Sequence, residues 1–263
     1  MLYNNSSRHN LRKKELTMKI EIDTHSHTLA SGHAYNTIRE MAQTAAEIGL
    51  KGLAITEHAP EMPGSTHLFY FQNLRMVPRQ MYGVELLLGT ELNILDEEGT
   101  VDLPDSTIDT LDIAIASLHS PCYRGERTKE AVLSAYWNVM LRENIDIIGH
   151  PDDGRFPVDY EELVKLAVET GTLLEVNNAS LTPGGFRKDT RGNDIAMLKE
   201  CKKQGAMVVL GSDAHVDASL ADYRYVEEVL EAAEFPEELV ANTTLEKLVG
   251  SLKRNKKGVS KKV

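Results

Sequence analysis

Six apolar, strand-like runs in this 263-residue chain each end in a histidine or a carboxylate. They span Ile20 to His27, Leu53 to His58, Leu86 to Glu91, Ile113 to His119, Ile145 to His150 and Val208 to His215. A seventh run, Thr172 to Asn177, has the same apolar character. Helix-period segments lie between them. Ile38, Met41, Ala42, Ala45 and Ile48 share one face of the first, which stops at Gly49. Further helices are expected over 128–143, 160–169, 194–204, 223–233 and 244–252. Near-continuous apolar strands alternating with helices describe a parallel sheet buried on both faces. Seven such units suggest a closed or nearly closed barrel. An open doubly wound sheet places its ligands at one switch point, served by few strands. Only a ring brings six strand ends to one place, the C-terminal rim.

The residues at those ends define the chemistry. Seven of the nine histidines collect there: His25, His27, His33, His58, His119, His150 and His215. Core histidines would scatter. His25 and His27, like Asp213 and His215, are two residues apart, a spacing that points both side chains the same way in extended chain. Gly32 lets the backbone bend beside His33. Asp23 is placed to orient an imidazole from behind. Glu91 ends a buried strand, where a carboxylate is costly unless paired or bound to metal. With Glu91 and Asp213 the candidate ligands number nine. At three or four ligands per ion, nine suit two or three divalent ions. No thiolate joins them, which excludes a soft-metal site or an iron–sulfur cluster and leaves zinc, manganese and iron open.

Composition narrows the setting. The chain is 41% hydrophobic, yet no apolar stretch approaches the ~20 residues of a membrane span. Its first residues lack an apolar signal core, and Cys122 and Cys201 form no Cys-x-x-Cys pair. Both facts point to a reducing, cytoplasmic location. The net charge of −11 hides an acidic body, since residues 18–252 hold 19 basic and 39 acidic residues. That argues against long nucleic acids and suits bound cations. Residues 18–252 read as one domain, preceded by an extension over 1–17 and followed by a basic, solvated tail over 253–263. Met18-Lys19-Ile20 leads straight into the first strand, so Met18 competes with Met1 as the start of the chain.

The motifs then become specific. Asp23-Thr24-His25-Ser26-His27, Thr56-Glu57-His58, Ser117-Leu118-His119, Ile148-Gly149-His150-Pro151 and Gly211-Ser212-Asp213-Ala214-His215 resemble the PHP (polymerase and histidinol phosphatase) family. The stretches 30–35, 56–64 and 70–79 are most similar to its YcdX-type phosphatases. The likeness runs from about Lys19 to the region of Tyr225. It implies a distorted (β/α)7 barrel and a trinuclear metal centre. By the same resemblance His25, His27, Glu91 and Asp213 hold one ion. Glu91, bridging, holds a second with His119 and His150, and His33, His58 and His215 hold the third.

The expected activity is hydrolysis of a small phosphorylated metabolite. Neighbouring ions would supply hydroxide near neutral pH and take up phosphate charge. Glu91, His119 and Asp213 are the catalytic residues in this reading, acting through that hydroxide. Arg75, Arg79, His67 and Arg191 are candidate substrate contacts, as is Arg187. Cys122 lacks the flanking loop of a thiol phosphatase. A phosphodiesterase or 3′–5′ exonuclease, a histidinol phosphatase, an amidohydrolase-type barrel and a metal-binding regulatory protein are the alternatives. The amidohydrolase type lacks its strand-end lysine here. Association into a homo-oligomer is compatible with the sequence.

Overall fold

The computed structural model describes residues 18–256. The expected extension over 1–17 and the last seven residues of the expected tail lie outside them. Seven parallel strands build the wall: β1 (Ile22–Asp23), β2 (Gly52–His58), β4 (Val84–Asn93), β5 (Ala114–Ser117), β6 (Ile147–Gly149), β7 (Leu173–Asn177) and β8 (Val208–Gly211). They pair in that order. A two-residue β3 (Gln80–Met81) pairs antiparallel with β4 and was not anticipated.

The sheet nearly closes on itself. Beyond β1 and β8 a single parallel bridge joins Ser26 to Ala214. There the His27 N–H donates to the Ala214 carbonyl, and the Asp213 N–H to the His25 carbonyl, both at 2.9 Å. Lower down, the buried Asn242 side chain clasps the same two strands. Its amide donates to the Ile22 and Leu210 carbonyls, and its oxygen accepts from the Leu210 N–H. These bonds satisfy backbone that an open edge would leave exposed.

All seven residues of β2 are buried, and two apolar clusters take up its middle. Leu53 and Ile55 face the main core under the helices. Ala54 faces inward, with Ile22, Ile113, Ile115, Ile147 and Val209. Leu248 and Leu252, at the end of α8 (Leu245–Ser251), plug this inner cluster from below. The lower barrel is thus filled with hydrocarbon and the polar strand ends occupy the top.

Helices α1 (Ile38–Glu47), α4 (Lys129–Met140), α5 (Tyr160–Thr170), α6 (Thr190–Gln204) and α7 (Arg224–Ala233) pack outside, with short α2 (Leu68–Asn73) and α3 (Asp105–Ile108) in the loops. Thr37 and Glu40 form a capping box that fixes the start of α1. Asp159 caps α5, and Gly171 ends it in the left-handed region. Helix α6 begins four residues before the expected Asp194.

The tail boundary needs correction. Lys253–Lys256 form α9 rather than a solvated end. Lys253 donates to the Met140 and Arg142 carbonyls, and Arg254 pairs with buried Asp146 at 2.7 Å. Basic residues read as a tail because charge alone cannot reveal a buried carboxylate that recruits them. Among the described residues, no helix is long and apolar enough to cross a membrane.

Candidate metal centre

Parallel register sets the site. Across β2 and β4, His58 lies opposite Glu91. Glu91 is 1% exposed and becomes the hub. Its Oε2 lies 2.7 Å from His58 Nδ1, 3.4 Å from His25 Nε2 and 3.6 Å from His27 Nε2. Its Oε1 lies 2.9 Å from His150 Nε2 and 3.2 Å from His119 Nε2. Asp213 adds Oδ1 at 3.2 Å from His27 Nε2 and 3.7 Å from His25 Nε2. The His33 ring stacks 4.8 Å from that of His58 and 4.9 Å from that of His215. All nine candidate ligands therefore meet at the C-terminal rim.

Two observations test whether these donors fit divalent ions. Ligands about 2.0–2.1 Å from a tetrahedral zinc lie about 3.3 Å from one another. His25 and His27 Nε2, 3.1 Å apart, and their distances to Glu91 Oε2 and Asp213 Oδ1 match those edges. Second, His58 Nδ1 and Glu91 Oε2 are close, yet neither has a partner in hydrogen-bond geometry. Buried polar atoms left this way need another partner. Three triads have mutually close ligand atoms: His25, His27 and Glu91; His27, His58 and His215; and His58, Glu91 and His119. The donor set fits more than one cation.

The protein also fixes which ring nitrogen faces inward. His25 Nδ1 meets Glu175 Oε1 at 2.7 Å, and His119 Nδ1 meets Asn93 Oδ1 at 2.8 Å. His215 Nδ1 meets the Asp213 carbonyl at 3.0 Å. His27 Nδ1 meets Ser31 Oγ at 3.1 Å, and Ser31 spends its own proton on Glu57. Each partner is an acceptor, so each Nδ1 carries the proton and each Nε2 turns a lone pair inward. Glu57 also accepts from the Thr28 N–H and Tyr70, so it anchors the loop instead of facing the cluster.

Electrostatics follow from this packing. Burial opposes ionisation of Glu91, but His119, His25 and His58 outweigh it and hold its carboxyl well below the usual range. Asp213 is likewise held low against burial by His25, His27 and Arg187. Burial, then His58 and His215, push His27 well below an ordinary histidine. Burial also opposes protonation of His25, but Glu175, Glu91 and Asp213 outweigh it and raise that group, so proton and metal compete for its Nε2. His150 and Asp213 hold φ of 32° and 55°, in the left-handed region that Asp and His tolerate better than most.

Asp23 does not orient an imidazole. Its carboxylate accepts from the Ser212 and Ala221 N–H groups, tying down the β8 loop. Glu175, within β7, supplies the ring contact. Room for it comes from Gly211, where a Cβ would sit 2.0 Å from Glu175 Oε1.

A cleft of about 360 Å³ opens over the cluster, lined by His33, His58, His119, Asp213 and His215 among others. The expected substrate contacts lie elsewhere. Arg79 pairs with Asp112 at 2.6 Å, beside the start of β4. Arg191 pairs with Glu228 on the surface. His67 caps α2 through its own ring, and Arg75 is exposed on the turn after that helix. Arg187 does line the cleft, held by Asp213 at 3.2 Å and Ser180 at 2.9 Å. Arg155 and Phe186 line it too, and sequence reasoning missed both. Cys122 is buried, donates to the Glu61 carbonyl, and is pushed up to about 12 by burial, which removes it as a nucleophile.

A family model described as the PHP domain matches residues 23–181. The chain belongs to the PHP family. The match includes seven of the nine candidate ligands and stops before Asp213 and His215. Over 236 residues this PHP chain is 44% identical to a probable phosphatase of Clostridium novyi (strain NT), covering 90% of this chain and 96% of that one. Over 245 residues it is 41% identical to a probable phosphatase of Acetivibrio thermocellus, covering 93% and 100%. With these relatives it stands among the PHP phosphatases, as an enzyme. A crystal structure of histidinol phosphate phosphatase from Lactococcus lactis, complexed with zinc, L-histidinol and phosphate, has the same fold. Its TM-score is 0.59 at 21% identity, covering 82% of this chain and 94% of that one.

Proposed function

We propose that this PHP phosphatase hydrolyses small phosphomonoesters at a centre of three divalent ions, zinc first among them. The convergence of inward-facing Nε2 lone pairs on Glu91 and Asp213 carries the reading. His25, His27, Glu91 and Asp213 would hold one ion, Glu91, His119 and His150 a second, and His33, His58 and His215 the third. Bound divalent ions lower the pKa of water and neutralise charge on phosphate oxygens.

The chain supplies the rest. Glu175, Ser31 and Asn93 keep Nδ1 protons in place and stop the rings turning. Burial opposes a charged Arg187, but Asp213 and Asp152 outweigh it, so its guanidinium stays ionised at the cleft wall. That cation suits a phosphate oxygen. The cleft's modest volume favours a small ester over a polymer.

The test is turnover of p-nitrophenyl phosphate together with metal content. Chelation abolishes turnover, zinc or manganese restores it, and Glu91→Ala or His119→Ala lowers it at least about 100-fold while reducing bound metal. Full activity and full metal content in Glu91→Ala would refute the bridging role.

A further inference from the structure

Phe186 lines the cleft while 72% of its surface stays exposed. It is not loose. The Arg155 guanidinium lies 4.9 Å from its ring centroid and that of Arg187 5.4 Å. Both arginines are themselves fixed. Arg155 makes a forked pair with Asp153, at 2.5 to 3.0 Å, and Arg187 is anchored on Asp213. Two oriented cations therefore hold an aromatic ring at the mouth of the site, with surface left for an incoming group.

The remaining wall has a matching character. Met62, Pro121 and Ala179 line the cleft with apolar surface. Among the described residues lining it, Asp213 is the one carboxylate, and Arg187 occupies its Oδ2. A positively charged amine on the alcohol part of a substrate would meet two guanidiniums and no free acid. A flat ring would meet the exposed part of the Phe186 ring and hydrocarbon.

We infer that the alcohol part of the substrate is a flat aromatic or heteroaromatic ring without positive charge, selected by Phe186 in its arginine clamp. This rests on the phosphomonoesterase reading above and names its substrate class. Phe186 acts on specificity and is assigned no part in the reacting atoms.

Phosphonates test binding without the confounding effect of leaving-group chemistry. Zinc-loaded protein is titrated calorimetrically with phenylphosphonate, methylphosphonate and 2-aminoethylphosphonate, and separately assayed for phenyl phosphate hydrolysis. The phenyl compound binds more tightly than the methyl one, and the aminoethyl compound most weakly. Phe186→Ala shrinks the methyl-to-phenyl ratio of Kd about 3- to 10-fold, the size of an aromatic contact, whereas Phe186→Trp keeps it. The ratio is taken within each protein, so partial misfolding of a variant does not alter it. A ratio unchanged within twofold in Phe186→Ala, or tightest binding of the aminoethyl compound, overturns the inference alone. Failure of every phosphonate to bind, together with no hydrolysis, overturns the phosphatase reading and the inference with it.

Discussion

Replacing Glu175 with glutamine separates the role of the metal ligands from that of the residues behind them. The Glu175 carboxylate accepts three hydrogen bonds. Oε1 takes His25 Nδ1–H at 2.7 Å, and Oε2 takes the His150 N–H at 2.9 Å and the Asn177 amide at 3.1 Å. Glutamine has the same shape but one acceptor oxygen. Whichever way its amide turns, its NH₂ faces a donor. If it keeps His25, it confronts His150 and Asn177. If it keeps those two, it confronts His25 and frees that ring to turn. Gly211 packs closely against the carboxylate, leaving little space for relaxation on that side. Hydrogen bonds to a charged group are worth about 1.5–3 kcal/mol each, so losing one or two should cost about 1.5–6 kcal/mol in the metal-free protein. A lost outer contact to a histidine ligand should weaken metal binding about 10- to 100-fold. Urea unfolding without metal measures the first quantity, and competition with a chromogenic chelator the second. In a His25→Ala background the effect of Glu175→Gln on metal affinity should shrink, because the ring it orients is gone. Wild-type affinity within twofold, with stability within about 0.5 kcal/mol, would refute the assignment of Glu175 as the partner that fixes His25.

Two further predictions concern stability. Arg254→Ala strands Asp146, which is fully buried, and should cost about 3–5 kcal/mol in urea unfolding; a loss below about 1 kcal/mol would return α9 to the status of a tail. Asp194 is buried with both carboxylate oxygens unpartnered, and burial, then the Asp152 charge, raises it well above an ordinary carboxyl. A raised carboxyl binds more protons folded than unfolded, so its contribution to stability falls as pH rises from about 4 toward the folded value. Asp194→Asn should therefore gain in Tm over the wild type as pH goes from 5 to 8, and parallel Tm curves would exclude this.

Distance from a strand end decides how much of the site the sequence revealed. His25, His27, His58, His119, His150, Asp213 and His215 lie in the strands or within a few residues of them, where parallel pairing alone delivers them to the rim. His33 was readable because Gly32, with φ of 80°, turns the chain there, and a Cβ on it would meet the Gly64 carbonyl at 2.0 Å. Arg75, Arg79 and His67 lie much farther along a loop. That loop runs back to the start of β4, where the Leu86 N–H donates to the Arg79 carbonyl. Nothing in composition or periodicity records that path. Arg187 and Arg191 differ by four residues, yet one lines the cleft and the other pairs on the surface, because Arg191 is already on α6. Glu175 did leave a trace: an acid within Leu-Leu-Glu-Val-Asn, a fully buried strand, has to be met by donors. Reading each buried strand for its misplaced charge, as well as for its end, would have found the residue that holds His25.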